Sequence, residues 1–552
     1  MRSQAKNYSV DRRSFLKIGV AAMPCLWLPA RAAQPAWRTQ TVGPFIEVET
    51  DSGRIRGGHS RGALAFKGIP YAGSVSGANR FKAAPKVVPW TGVRDATVLG
   101  PPAMQGAGGT YGEHEPPCSE DCLVLNVWTP AINDGGKRPV MFYCHGGGFT
   151  TGSGGQNIQD GAHLAAAYDV VVVASNHRLG LFGYLYLGDL APEEYSSSGN
   201  QGVLDIVAAL SWVRQNIATF GGDPGNVLVF GESGGGYKTS ALMAMQSAQG
   251  LFHRAGIQSG PMLRGQPRAI ATENALKVLA SVGLGARDLH KLAAVPAEKL
   301  LAIQLAGAKA PAPTSVAALR TRYPGPWCPV VDGKHLAQNP FDPIAPTASL
   351  QVPLLIGCMR DEVIFFERQN PAFFHADEAA VAARERKRLG DAAQRVLAVY
   401  RESMPGSTPV ERAVAIETAT DRGTDTVILA ERKALQPAPV YLYRNDYSSN
   451  VPIKGTNWTL RACHASDIAM VFDNYEIPDL QGDGPGLAAA ARAMSGYFAS
   501  FARSGVPLVQ GQPAWPRYDA QRRAVMLLNT ECEVQNDPAS DQRKLWQGLG
   551  LG

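Results

Sequence analysis

Short runs of β-branched and apolar residues recur along this chain at 140–144, 170–174, 227–230, 352–357, 440–444 and 525–528, separated by helix-patterned stretches such as 201–219, 235–246 and 487–503. Strands that are apolar throughout, rather than at alternate positions, are buried on both faces, and strands that alternate with helices pair in parallel. The chain is therefore expected to be α/β, with a large, mostly parallel central sheet covered by helices on both faces. Its 552 residues would allow about three or four domains, but no linker-like composition and no internal repeat divides them. Open sheets of roughly 8–15 strands do occur within one large α/β domain. Residues 34–552 are accordingly read as a single domain, with 47–57 and 63–68 forming a small antiparallel piece at its start.

The first 33 residues read differently. Asp11-Arg12-Arg13-Ser14-Phe15-Leu16-Lys17 leads into a mildly apolar run broken by Pro24, and Ala30-Arg31-Ala32 supplies a small-x-small cleavage pattern. Residues 1–33 are expected to be a twin-arginine-type signal peptide, which sends folded proteins to the periplasm or beyond. Its apolar run is about a dozen residues, short of the ~20 that a spanning helix needs, so no stable membrane anchor is expected. The formal net charge of +6 then loses most of its meaning. Arg2, Lys6, Arg12, Arg13, Lys17 and Arg31 against Asp11 place nearly all of it in the leader. A nearly neutral body gives no electrostatic footprint for nucleic acid. The basic run Arg384-Glu385-Arg386-Lys387-Arg388 lacks interleaved aromatics and reads as a solvated helix face. Export also frames the seven cysteines beyond Cys25: an odd, scattered set is no disulfide scaffold, although Cys118 and Cys122 are close enough to bridge.

The chemistry sits after the third apolar strand. Gly231-Glu232-Ser233-Gly234-Gly235 matches G-x-S-x-G and lies between a buried strand and a helix, the setting that lifts a serine hydroxyl above a sheet edge. The same pattern at Gly58-His59-Ser60-Arg61-Gly62 lies in a polar hairpin-like segment and lacks that setting. An alcohol needs donors for the developing oxyanion and a base for its proton. His145-Gly146-Gly147-Gly148-Phe149 follows the strand at 140–144, and its glycines let N–H groups approach without side-chain obstruction. Gly147, Gly148 and Gly234 are the expected oxyanion donors. An acid is expected next, then a histidine. Asp361 and Glu362 end the strand at 352–357, where catalytic groups of open α/β sheets gather. For the histidine, the residues alone leave His464 and His375 open.

Three further motifs accompany these: Phe66-Lys67-Gly68-Ile69-Pro70-Tyr71-Ala72, Ser119-Glu120-Asp121-Cys122-Leu123-Val124-Leu125-Asn126-Val127 and Phe220-Gly221-Gly222-Asp223-Pro224. Together, over about 48–516, the chain resembles the type-B carboxylesterases, the family that also holds cholinesterases and fungal lipases. The resemblance implies an α/β-hydrolase fold and a serine carboxylic-ester hydrolase without metal or other cofactor. It puts the nucleophile on Ser233, the acid on Glu362 rather than Asp361, and the base on His464. Oxyanion donors fall on Gly147, Gly148 and Gly234, and Ser259 matches a serine that hydrogen-bonds near the acid. Two departures stand out. The family usually has Ala where Gly234 stands, a change that keeps the N–H and is expected to be neutral. The family's first disulfide partner is replaced by Ala103, which leaves Cys122 free or paired with Cys118.

The expected reaction is two-step acyl transfer on a small or medium, mainly apolar ester. The loop at 106–117 has only Tyr111 as an aromatic, which argues against choline esters. Trp327, Phe373, Phe374 and Trp458 are candidate gorge walls or core residues, and an anionic substrate would need a local arginine such as Arg360 or Arg461. Two other classes compete with this reading. A catalytically silent binding or adhesion homologue would lack an intact Ser233, Glu362 and His464, and a metal hydrolase built on Glu113, His114, Glu115 and Cys118 or Cys122 would lack a zinc-ligand motif. Monomer and homodimer are both compatible with the sequence.

Overall fold

The computed structural model describes residues 42–106, 115–307, 313–477 and 479–552. The leader at 1–33 with Cys25, and Tyr111, Glu113 and His114, lie outside them. Within unit 39–552 two small two-stranded sheets stand apart, and thirteen of the described strands form one sheet. In chain order they are β1 (Val42–Thr50), β2 (Gly53–Ser60), β3 (Ala63–Pro70), β4 (Val93–Asp95), β5 (Val124–Thr129), β6 (Arg138–Cys144), β7 (Val171–Ser175), β8 (Gly222–Glu232), β9 (Arg254–Gln258), β10 (Leu354–Met359), β11 (Val440–Asn445), β12 (Ala524–Leu528) and β13 (Glu533–Asn536). Their spatial order is β1-β2-β3-β5-β7-β6-β8-β9-β10-β11-β12-β13, with β4 beside β2. From β7 to β12 all neighbours are parallel. All six apolar runs are strands of that parallel centre.

Successive residues of these strands bury on opposite faces. Val140, Phe142, Val227, Val229, Ile356 and Leu442 enter one core, and Met141, Tyr143, Leu228, Phe230, Leu355 and Tyr441 enter the other. Both faces are therefore apolar at every position, the physical reason the strands read as continuous runs. Helix α1 (Gln201–Asn216) packs in the first core and α4 (Leu487–Ser504) in the second; between them in the chain come α2 (Gly234–Ala244) and α3 (Glu378–Leu389). No described helix is long and apolar enough to cross a membrane.

The N-terminal antiparallel piece is present: Asp51-Ser52 make a two-residue turn that pairs Thr50 with Gly53 at φ 139°, β2 pairs antiparallel with β3, and β3 pairs with β5 and so extends the main sheet. One expectation changes: the run at 384–388 is only partly solvated. Arg386 and Lys387 are exposed on α3, whereas Arg384 ties Glu367 and Glu417, and Arg388 pairs at 2.6 Å with the fully buried Glu385. Cys122 is buried and carries no disulfide, and burial pushes its thiol pKa up.

Candidate active site

Strand β8 ends at Glu232 and α2 begins at Gly234, leaving Ser233 alone at the corner with φ 54° and ψ −117°. A non-glycine residue in the left-handed region is strained and persists only where its surroundings fix it. Here the Ser233 N–H donates to the Gln258 carbonyl at the end of β9 (2.8 Å). The corner is also crowded: a Cβ on Gly231 would lie 2.5 Å from the Cys144 carbonyl. Glycine is required there because β6 and the elbow touch backbone to backbone.

The loop leaving β6 provides the facing wall. Gly147 and Gly148 have φ of 83° and 61°, conformations that glycine adopts without the strain of a Cβ. Gly148 lies directly against Gly234, since a Cβ on Gly234 would fall 2.5 Å from the Gly148 nitrogen and still closer to its carbonyl oxygen. Gly148 and Gly234, two of the expected donors, are thus brought together from two distant elements, and Gly147 adjoins Gly148 in the chain.

Glu362 and His464 meet across the C-terminal edge of the sheet. His464 Nδ1–H donates to Glu362 Oε2 at 2.6 Å, and the other carboxylate oxygen accepts from the Met359 N–H at 2.8 Å. Glu362 has no exposed surface. Burial works to raise its pKa, but His464, the Arg422 charge and the Ser259 hydroxyl outweigh burial and hold it below the ordinary carboxylate value. Ser259 acts at a geometry too loose for an ordinary hydrogen bond. Burial, then Arg422, lower the His464 pKa to about 4 against the pull of Glu362, so the imidazole is neutral at pH 7 and able to accept a proton. Of the residues left open by sequence, Asp361 pairs instead with Arg360 at 3.0 Å, and the exposed His375 bonds the Gly455 carbonyl.

Several neighbours were not anticipated. Glu232, the variable residue of the serine motif, places Oε1 3.2 Å from His464 Nε2. Burial and the charges of Asp467 and Glu362 raise its pKa well above normal. Arg422 sits in a π-helical turn, Ala419–Gly423, and its Nε–H donates to the Ser259 carbonyl at 2.7 Å. Phe365 and Phe366 flank His464 with centroids 5.7 and 5.1 Å away. Phe373, Phe374 and Trp458, considered as gorge walls, belong to a satellite core instead, and Trp327 packs against the main one. Arg360 and Arg461 are already engaged, by Asp361 with Ser448 and by Glu411 with Trp458 respectively.

A serine on a strand-turn-helix elbow, a glycine loop against it and a buried carboxylate–imidazole pair, all at the C-terminal edge of a mostly parallel sheet, define an α/β-hydrolase fold. Comparison with known proteins agrees and narrows the class: the carboxylesterase family model matches residues 44–546. The para-nitrobenzyl esterase of Bacillus subtilis is 35% identical over 520 residues, 91% of this chain and 99% of that one. The phenmedipham hydrolase of Pseudarthrobacter oxydans is 32% identical over 511 residues, covering 89% and 97%. The crystal structure of the Geobacillus stearothermophilus carboxylesterase EST55 superposes with a TM-score of 0.77 at 36% identity, over 91% of this chain and all of that one. The chain belongs to the carboxylesterase family, whose enzymes hydrolyse carboxylic esters.

Proposed function

We propose that this protein hydrolyses small or medium, mainly apolar carboxylic esters through Ser233, His464 and Glu362, by way of an acyl-enzyme. The observation that carries the reading is the 2.6 Å bond from His464 Nδ1 to the buried Glu362, with the other imidazole nitrogen 3.2 Å from Glu232, the residue before Ser233. Nε2 takes the Ser233 proton as Oγ bonds to the ester carbonyl carbon, and Glu362 holds the ring and stabilises the imidazolium. The N–H groups of Gly147, Gly148 and Gly234 receive the oxyanion. The imidazolium then protonates the leaving alkoxide, the alcohol departs, and water repeats the sequence on the acyl-enzyme. The apolar character of Phe365 and Phe366 beside His464, and relatives named for para-nitrobenzyl esters and phenmedipham, favour uncharged substrates, aromatic ones included. The leader reading places the enzyme in the periplasm or outside the cell.

One experiment checks both parts. The protein recovered from the periplasm or medium is treated with a p-nitrophenyl alkylphosphonate, then analysed by intact mass and peptide mapping. The expected species lacks about 33 N-terminal residues, the length of a typical leader, and carries one phosphonyl group on Ser233. An adduct on Ser60, or an active enzyme with none, would sink the catalytic assignment; an intact N-terminus would sink the export reading.

The pH profile provides a second check. A general base works only when neutral, so activity is lost as pH falls through the His464 pKa. Because burial and Arg422 lower that pKa to about 4, the acid limb of kcat/KM is expected below the ~6.5 of an unperturbed imidazole. Near-maximal kcat/KM at pH 5.5 is the expected result. A limb at or above pH 6.5 would contradict it.

A further inference from the structure

Lys238 is fully buried on α2, one turn beyond the serine elbow, yet the proposed mechanism gives it no role. Its Nζ donates to the His145 carbonyl at 2.8 Å and stands 5.8 Å from the centroid of the Phe149 ring. These residues bracket the run Gly146-Gly147-Gly148. The ammonium therefore grips both ends of the loop that presents two of the oxyanion donors, from the same helix whose first residue presents the third.

No carboxylate among the described residues forms an ion pair with it, so the charge is uncompensated. The titratable groups that face it are Cys144 at the end of β6, His145 on the loop and His177 after β7. Burial pushes the Cys144 thiol up to about 12. Burial, with the Lys238 charge second, pushes His145 well below its usual value. The stacked His177 ring, 4.6 Å away, is lowered by burial, by Lys238 and by His145 in that order. All three are neutral around pH 7, so none of them offsets the ammonium; the Glu232 carboxyl lies on the loop itself, against Gly146.

An unpaired buried cation is expensive, and an apolar side chain of similar length would fill the space without that cost. Stability gives no reason for a lysine here. A reaction that develops negative charge on the other side of a thin glycine loop does.

Building on the esterase reading, we propose that Lys238 is the positioning residue of the oxyanion hole: it braces the glycine loop against α2 and supplies positive potential that favours the tetrahedral oxyanion over the neutral ester. The role is electrostatic and acts through the loop, without contact with substrate. Burial lowers the Lys238 pKa to about 7, partly countered by Cys144, so the cation is lost on the alkaline side of neutrality.

The test compares the parent enzyme with Lys238→Met and Lys238→Gln, the second keeping a donor for the His145 carbonyl without the charge. Both are expected to lower kcat by about 10- to 100-fold, short of the ~10²–10³ for deleting a direct oxyanion donor, with KM within about threefold and Tm unchanged or higher. Affinity for a trifluoromethyl ketone, which forms the oxyanion adduct, is expected to fall by the same factor. In the parent, kcat/KM is expected to decline above about pH 7 to a plateau that meets the Lys238→Met rate, and the variant has no such decline. A kcat within threefold of the parent, full rescue by Lys238→Gln, or a slower variant that keeps the alkaline limb each overturns the proposal. Should Lys238→Met fail to fold, the parent alone decides: ketone affinity flat from pH 6 to 9 overturns it, and a drop of about tenfold supports it. Failure of the esterase reading looks different, because Ser233 then remains unlabelled by phosphonate in the parent as well.

Discussion

Ser233→Ala is expected to lower kcat/KM by about 10⁴–10⁶, with what remains coming from the oxyanion donors and substrate binding alone, as in other serine hydrolases stripped of the nucleophile. The fold should survive. Ser233 is held by its backbone, through its N–H to Gln258 and its carbonyl to the Tyr237 N–H, and the substitution changes neither bond. Alanine occupies the left-handed region no more comfortably than serine, so the strain already present is carried over rather than added. The expected pattern is therefore a collapse of kcat with Tm within a few degrees of the parent. Retention of more than about a hundredth of parental kcat/KM would be incompatible with a covalent route through this residue. Ser60 offers no substitute: it ends β2, is buried, and its hydroxyl has no hydrogen-bond partner among the described residues.

The parts of this site that sequence makes legible are those written locally. Ser233 is visible because strand, glycines and helix follow one another within a dozen residues, and the Gly147-Gly148 pair because it follows an apolar strand directly. Burial on both faces likewise writes the parallel centre of the sheet as unbroken apolar runs. Strands β5 and β9 escape that pattern because Asn126 and Gly256 interrupt it. What escapes the sequence depends on partners far along the chain. His464 was selected over His375 only by family resemblance, and its bond to Glu362 spans 102 positions. Arg422 acts on a carbonyl 163 residues away, and Lys238 on one 93 residues away. Neither carries a motif, and a lone arginine or lysine in a helical stretch ordinarily reads as surface. A lysine among Tyr237, Thr239, Ala241 and Leu242, on a helix that packs in the core, was the available signal for the second.

Gly234 yields the other large effect. The resemblance implies Ala at that position, and either residue offers an N–H, but here the space beside it is closed. A Cβ on Gly234 would meet the Gly148 nitrogen at 2.5 Å and its carbonyl oxygen more closely still, both backbone atoms that cannot swing aside. Gly234→Ala must therefore push the glycine loop away from the elbow and separate the donors that have to converge on one oxygen. The expected loss in kcat is about 10²–10³, the effect of removing an oxyanion donor, with KM little changed because the ground-state ester does not depend on their convergence. Gly148→Ala separates steric from conformational cost. At 61° its φ is left-handed, but nothing lies within 4 Å of the added Cβ, so about 1–2 kcal/mol of backbone strain is all it should incur. Kinetics on a p-nitrophenyl ester, with trifluoromethyl ketone affinity as the readout of the oxyanion hole, distinguishes the two. A Gly234→Ala enzyme within fivefold of parental kcat would mean that the loop yields freely, and that Lys238 does not hold it.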